Sequence, residues 1–332
     1  MKSNLMLLGL MACMFAGTVS AADTSGMQGK PAPAFSATRC MNEPADGLRS
    51  LEDCKGEVIL IKLWGVNCGP CLASMPEVQA LWNKYEGKGL HVFMLERQGH
   101  TEAQIAQVYQ GRGLTFPQVI EGSFPYNGVG TIPYAYVIGV DGNVIFEGHK
   151  GYAGVIDEEI KKVKYLGLGK PEVAKDLEKS AVAYSTGEYA KAREEALKAK
   201  EKKPEDAAVV ADAEYIIAKV EAKATALRTQ IDADKAAKRY HLAVKGLETL
   251  SGKAFKGMEV ADTAAGELKE IKADKAIKEE LKAWDALTKL QDSQKKITDN
   301  AAKKRALEDF ARKNDGMAAA SEATAQAAKL SS

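Results

Sequence analysis

A chain of 332 residues is too long for one ordinary domain and points to two. Its net charge is +1, and acids and bases alternate through the C-terminal half, so no basic surface of the kind that holds nucleic acid is expected. Up to about residue 166 the chain holds most of its Gly, Pro and aromatic residues. Beyond that Ala, Lys and Glu dominate, with proline only at Pro171 and Pro204, which reads as a mixed α/β domain followed by a helical one.

In chain order, Lys2, the apolar run from Leu5 to Val19 and the small residues Val19-Ser20-Ala21 read as a cleaved export signal over 1–21. The expected location is therefore periplasmic or secreted. A retained anchor is disfavoured because the run is short of the ~20 residues of a span and lacks a stop-transfer flank. Leu10-Met11-Ala12-Cys13 loosely resembles a lipoprotein cleavage box, a lesser alternative that would leave a short apolar core. Residues 22–34 form a linker, and Phe35 to Ser50 reads as a strand pair turning at Ala45-Asp46-Gly47.

Val58 to Trp64 is an apolar run of strand length, the composition of a central parallel strand covered on both faces. Leu72, Met75, Val78, Leu81 and Trp82 then recur at helical spacing, with Pro76 expected to bend the helix rather than end it. His91 to Leu95 reads as a strand, Thr101 to Gly111 as a helix and Phe116 to Ile120 as an edge-like strand. Tyr134 to Ile138 and Val144 to Phe146 form a hairpin through Asp141-Gly142, and Ile156 to Tyr165 a closing helix. Helices are expected around Ala207 to Ile231, Asp234 to Leu250, Met258 to Ile271, Ala276 to Gln291 and Ile297 to Lys313. Gly187, Ala192, Ala199 and Pro204 fall at the spacings of one tetratricopeptide repeat, a pattern that Ala-rich helices also produce by chance. The helical domain is taken as 171–315, and 316–332 as a disordered tail.

Removing the signal leaves Cys40, Cys54, Cys68 and Cys71. Cys68 stands where an apolar strand ends and a helix begins. Unsatisfied N–H groups and the helix dipole there favour a thiolate, the form that attacks disulfides. Two intervening residues set Cys71 one turn inward as a resolving thiol, and Pro70 fixes φ where its missing N–H does no harm. A zinc site would need a second Cys or His pair, and Cys40 and Cys54 lie upstream at a poor spacing, so redox chemistry is favoured over metal. Neither a metal nor a cofactor is expected.

The stretch Trp64-Gly65-Val66-Asn67-Cys68-Gly69-Pro70-Cys71, then Gly130-Thr131-Ile132-Pro133 and Asp141-Gly142-Asn143-Val144, resembles the TlpA-like branch of the thioredoxin superfamily. The strand and helix order agrees with it. The resemblance spans 35–167 and implies an α/β thioredoxin-like fold, a mixed central sheet flanked by helices, ahead of the all-α helical domain. It also implies a cis Ile132–Pro133 bond facing the cysteines. Trp64, Asn67, Gly69, Pro70 and Ile132 would face substrate, and Cys68, Cys71 and Pro133 would form the catalytic set. That branch comprises exported bacterial redoxins, including those serving cytochrome c maturation. It therefore implies exported protein disulfides or apocytochrome-like substrates and a membrane electron donor.

Two residues depart from the family pattern. Asn67 replaces the usual aromatic before the nucleophile, and Lys62 stands where thioredoxins carry a buried acid. Lys62 either acts partly neutral on Cys71 or packs its stem while its amine reaches a carboxylate, Glu96 being the candidate; the second reading is preferred. Cys40 and Cys54 are read as a structural disulfide contributing about 3 kcal/mol by loop entropy, with an electron relay as the sharper alternative. The leading activity is thiol-disulfide oxidoreduction by reduction or isomerisation. A peroxidase of the peroxiredoxin type is disfavoured by Gly65, which stands where such a site needs threonine. A third reading makes the helical half a scaffold that binds partners or self-associates, with the redoxin domain as its accessory.

Overall fold

The computed structural model describes residues 26–330 apart from 44–46, 48, 49, 296 and 298. The expected export signal and most of the Ala45-Asp46-Gly47 turn lie outside the described residues. The chain divides into two compact units between Val163 and Lys164.

The first unit is a mixed six-stranded sheet in the order β1-β4-β3-β2-β5-β6, made of β1 Ser36–Met41, β2 Val58–Trp64, β3 Leu90–Glu96, β4 Gln118–Ser123, β5 Tyr134–Ile138 and β6 Val144–Gly148. Its helices are α1 Gly69–Tyr85, α2 Glu102–Arg112 and α3 Tyr152–Glu159. Every residue of β2 is buried, because β3 pairs with it in parallel, β5 pairs antiparallel, and both faces are covered. Val58, Leu60 and Trp64 join Met75, Val78, Tyr109 and Ile156 in one core. Ile59, Ile61 and Leu63 join Phe35, Phe93, Tyr126 and Tyr136 in a second. Strand alternation places Lys62 on the first of these faces. Helix α1 buries Cys71, Met75, Val78, Leu81 and Trp82 on one stripe and carries Pro76 on its exposed side without ending. Helix α2 opens on a Thr101–Gln104 capping box and closes at Gly113, whose φ of 62° is left-handed.

Three expectations are corrected. The segment before β2 is not a local strand pair: β1 runs antiparallel to β4, Cys40 opposite Val119, and Ser50 makes only an isolated bridge to Ser36. Long-range pairing buries Ala37 and Cys40, which a local hairpin could not cover, and it turns β4 from an edge into an inner strand. The closing helix begins earlier, at Tyr152, and ends in a 3-10 turn over Ile160–Lys162. Tyr165 and Leu168 are buried in a core of the second unit, so the boundary falls before them rather than after 167.

The second unit is all-α: α4 Glu178–Ser185, α5 Tyr189–Lys202, α6 Ala207–Ala236, α7 Tyr240–Leu250, α8 Glu259–Ala273, α9 Lys275–Gln294, α10 Asn300–Lys313 and α11 Ala318–Lys329. Helices α4 and α5 form a hairpin across Gly187 (φ +75°), and the Ser180 hydroxyl donates to the Ala192 carbonyl at 2.6 Å. That approach is possible because Ala192 and Ala196 present no bulk. The last segment is a helix, not a disordered tail. Ala319, Ala323 and Ala327 of α11 share a buried cluster with Trp284, Leu287 and Leu307, so the Ala-rich composition read as fraying is what lets α11 seat closely. Among the described residues no helix is long and apolar enough to cross a membrane.

Candidate active site

Strand β2 delivers the chain at its C-terminal end to Gly65-Val66-Asn67 and then to α1. Cys68 is the N-cap of α1, with extended backbone (φ −97°, ψ 99°), and its Sγ accepts the Cys71 N–H at 3.2 Å. The two sulfurs are joined in a disulfide. Cys68 keeps 8% of its surface and Cys71 none, so of the pair only Cys68 reaches the surface. A thiolate released at Cys68 would lie at the positive end of a 17-residue helix. Pro70 occupies the first turn, where no donor is lost. The Ile132–Pro133 peptide is cis, and the Ile132 carbonyl oxygen lies 3.7 Å from Cys68 Sγ. His149 Nδ1 donates to the Pro133 carbonyl at 2.7 Å. Asn67, Gly69 and Pro70 are exposed and Ile132 and Pro133 half-buried, forming a rim around the sulfur.

The end of β3 and the loop that follows hold the approach to Cys68 through the side chains of Glu96, Gln98 and His100. Glu96 Oε1 accepts the Val66 N–H at 3.3 Å and the His100 Nδ1–H at 2.9 Å; its Oε2 accepts the N–H groups of Gln98, Gly99 and His100. Gln98 Oε1 accepts the Asn67 N–H at 2.8 Å. A Cβ on Gly65 would fall inside the Gln98 side chain, so glycine is what lets the two loops meet. Burial alone would push the Glu96 carboxyl up, but the bonds from His100, Val66 and Gln98 outweigh it and hold the pKa below the ordinary value.

Beneath the pair lies Lys62, 1% exposed, its Nζ donating to the Tyr152 hydroxyl at 2.5 Å and lying 4.3 Å from that ring's centroid. Burial pushes its pKa down to about 8, against the attraction of Glu77. Burial raises the Tyr152 hydroxyl's pKa, and the nearby Glu77, exposed on α1, raises it further.

The AhpC/TSA family model matches residues 28–146. A thiol-disulfide oxidoreductase ResA of Bacillus anthracis is 32% identical over 131 residues, which cover 37% of this chain and 71% of that protein. The ResA of Oceanobacillus iheyensis is 28% identical over 140 residues, 42% of this chain and 69% of that one. A crystal structure of a putative thiol:disulfide interchange protein DsbE from Chlorobium tepidum matches at 20% identity and a TM-score of 0.31, over 40% of this chain and 95% of that chain. The chain belongs to the TlpA-like thiol-disulfide oxidoreductases of the thioredoxin superfamily.

Three expectations about the oxidoreductase site are revised. Trp64 does not face substrate: it is fully buried, its indole Nε1–H donates to Gln118 Oε1 at 2.8 Å, and its ring lies against Tyr109. As the last residue of β2 it shares the parity of Leu60 and Lys62 and points into the core. Lys62 does not reach Glu96, because backbone donors and His100 claim that carboxylate at the end of β3, while Lys62 lies opposite Met94. Cys40 and Cys54 are buried thiols, not joined to each other in a disulfide. Cys40 rides on the outermost strand against β4, and Cys54 lies beside His91 of β3.

The surroundings of Cys54 were missed altogether. His91 Nε2 lies 2.5 Å from Glu57 Oε2, with both side chains buried. Burial lowers the His91 pKa, but Cys54 and Glu57 together raise it well above 6.5. Burial pushes the Cys54 thiol up, with His91 opposing. The available signal was a histidine within an otherwise apolar strand.

Proposed function

We propose that the chain is an exported enzyme that reduces or isomerises disulfides of exported proteins, apocytochrome-like chains among them. The Cys68 thiolate attacks a substrate disulfide; that S–S bond breaks, its leaving sulfur takes a proton, and a mixed disulfide forms. Cys71 then gives up its proton and attacks Cys68 Sγ. The second substrate sulfur leaves as a thiol, and the Cys68–Cys71 bond closes with two electrons passed on. A dithiol protein donor at the membrane would return the pair to its reduced form. The observation that carries this reading is the unequal exposure of two bonded cysteines at a helix N-terminus, beside the half-buried Ile132–Pro133 loop. That loop offers the Ile132 carbonyl to a substrate strand laid across the site.

The test is a Cys71→Ser variant incubated with a disulfide-containing exported protein. A stable mixed disulfide through Cys68, resolved only when Cys71 is present, is the expected result; a link through any other cysteine refutes the assignment. Equilibration of the wild-type pair with glutathione gives the direction of electron flow. A potential near thioredoxin's supports a reductase, and a strongly oxidising one rejects it.

A further inference from the structure

The only side chain that is both exposed and next in sequence to the nucleophile is Asn67, and its amide is not free to turn. Asn67 Nδ2 lies 2.9 Å from His100 Nε2, and His100 Nδ1 lies 2.9 Å from Glu96 Oε1. The direction of each bond follows from chemistry. Glu96 is held as a carboxylate by the N–H groups around it, so it can only accept, and His100 Nδ1 must donate. An Nε2 that faces an NH₂ group must then be the acceptor, leaving the ring with its one proton on Nδ1. The Asn67 backbone is fixed as well, by the bond from its N–H to Gln98 Oε1. With its NH₂ end turned in to His100, the amide keeps its Oδ1 for the outside.

We propose that Glu96 and His100 are positioning residues that set the polarity of the substrate contact beside Cys68. They present the Asn67 Oδ1 as an acceptor, so the enzyme favours disulfides whose flanking backbone offers an N–H next to the target cysteine. The inference rests on the oxidoreductase reading above and adds a selection rule to it. It assigns His100 a part that burial does not explain: its side chain is 13% exposed and Glu96's 5%, yet the pair spends its outward bond on a surface residue. Where the family pattern has an aromatic ring, this asparagine presents an amide oxygen.

The probe is a set of short peptides, each with its cysteine in a disulfide to 2-thiopyridine. One is unmodified; the others are N-methylated at the cysteine amide or at the residue that follows. The reduced enzyme's attack frees the coloured thiopyridine. With wild type, one of the two N-methylations should lower kcat/KM about tenfold, the worth of one hydrogen bond of about 1.4 kcal/mol. In His100→Ala, whose Asn67 amide can rotate, that penalty should fall below about twofold. It should return in His100→Gln, whose side-chain oxygen can accept the same N–H. Asn67→Ala, a truncation at an exposed position, should erase it independently of any folding defect at residue 100. Equal rates for all peptides with wild type overturn the inference and leave the oxidoreductase reading standing, as does a penalty that survives in both His100→Ala and Asn67→Ala. Release of no thiopyridine from any peptide would refute the oxidoreductase reading itself, and this inference with it.

Discussion

Replacing Lys62 with methionine should make the enzyme more stable at neutral pH. The ammonium is 1% exposed, and its hydrogen-bond partner is a neutral hydroxyl rather than a carboxylate. Held at about 8 instead of 10.5, it carries about 3 kcal/mol against its charged form, at about 1.36 kcal/mol per tenfold change in proton affinity. Methionine keeps the unbranched stem and has no charge to desolvate. The lost bond to Tyr152 returns about 1 kcal/mol. Lys62→Met should therefore gain about 2 kcal/mol at pH 7. The unfolded chain keeps the lysine proton up to about 10.5 and the folded chain releases it at about 8. Between those values the unfolded state binds more protons, so wild-type stability rises with pH, and below pH 8 the full penalty is present. The advantage of Lys62→Met should accordingly shrink between pH 8 and 10.5. Urea-dependent amide exchange of β2, measured by mass spectrometry on the oxidised protein, reads this unit apart from the helical one. A variant no more stable than wild type at pH 7, with a stability difference flat across that window, would refute the argument that the ammonium is desolvated at a net cost.

Gln118→Leu should lower the stability of the sheet by about 1–3 kcal/mol, because it strands the buried Trp64 indole N–H; the same exchange experiment measures it. After reduction, iodoacetamide should label Cys68 quickly in the native protein. Cys40 and Cys54 should be labelled only after unfolding, and peptide mapping by mass spectrometry distinguishes free from bridged cysteines there. Since His91 holds its proton more tightly when folded than the 6.5 of an ordinary histidine, its contribution is complete below that value. It is lost as pH rises through the elevated pKa. Wild type should therefore lose stability relative to His91→Gln as pH climbs above 6.5, in urea melts across pH 6–9.

What the sequence made legible was local. The run Val58 to Trp64 ending at Cys68 marked a buried strand feeding a helix, and its spacing to Cys71 gave the chemistry, because both depend on near neighbours. What stayed hidden depended on partners far along the chain. The pairing of β1 with β4 joins residues about 80 positions apart, so the turn chemistry near residue 46 misled the reading toward a local hairpin. Tyr152 stands 90 residues beyond Lys62, and nothing near the lysine announces it. Trp64 was placed by its motif, whereas counting parity along β2 would have turned it inward. In the helical unit, composition told of helices but not which alanines were contacts, and α11 was lost to that ambiguity.

Strand β2 is a shared wall: its even-numbered residues line the core beneath the cysteines, and its odd-numbered ones line the core on the other side of the sheet. A dense interior passes a change of volume through such a wall instead of absorbing it. Residues such as Ile61 and Phe93, which never meet the disulfide, thus offer a remote means of adjusting how firmly Lys62 and the strand beneath Cys68 are seated. Variation on the far face can therefore retune the enzyme while every residue around the sulfurs is left unchanged.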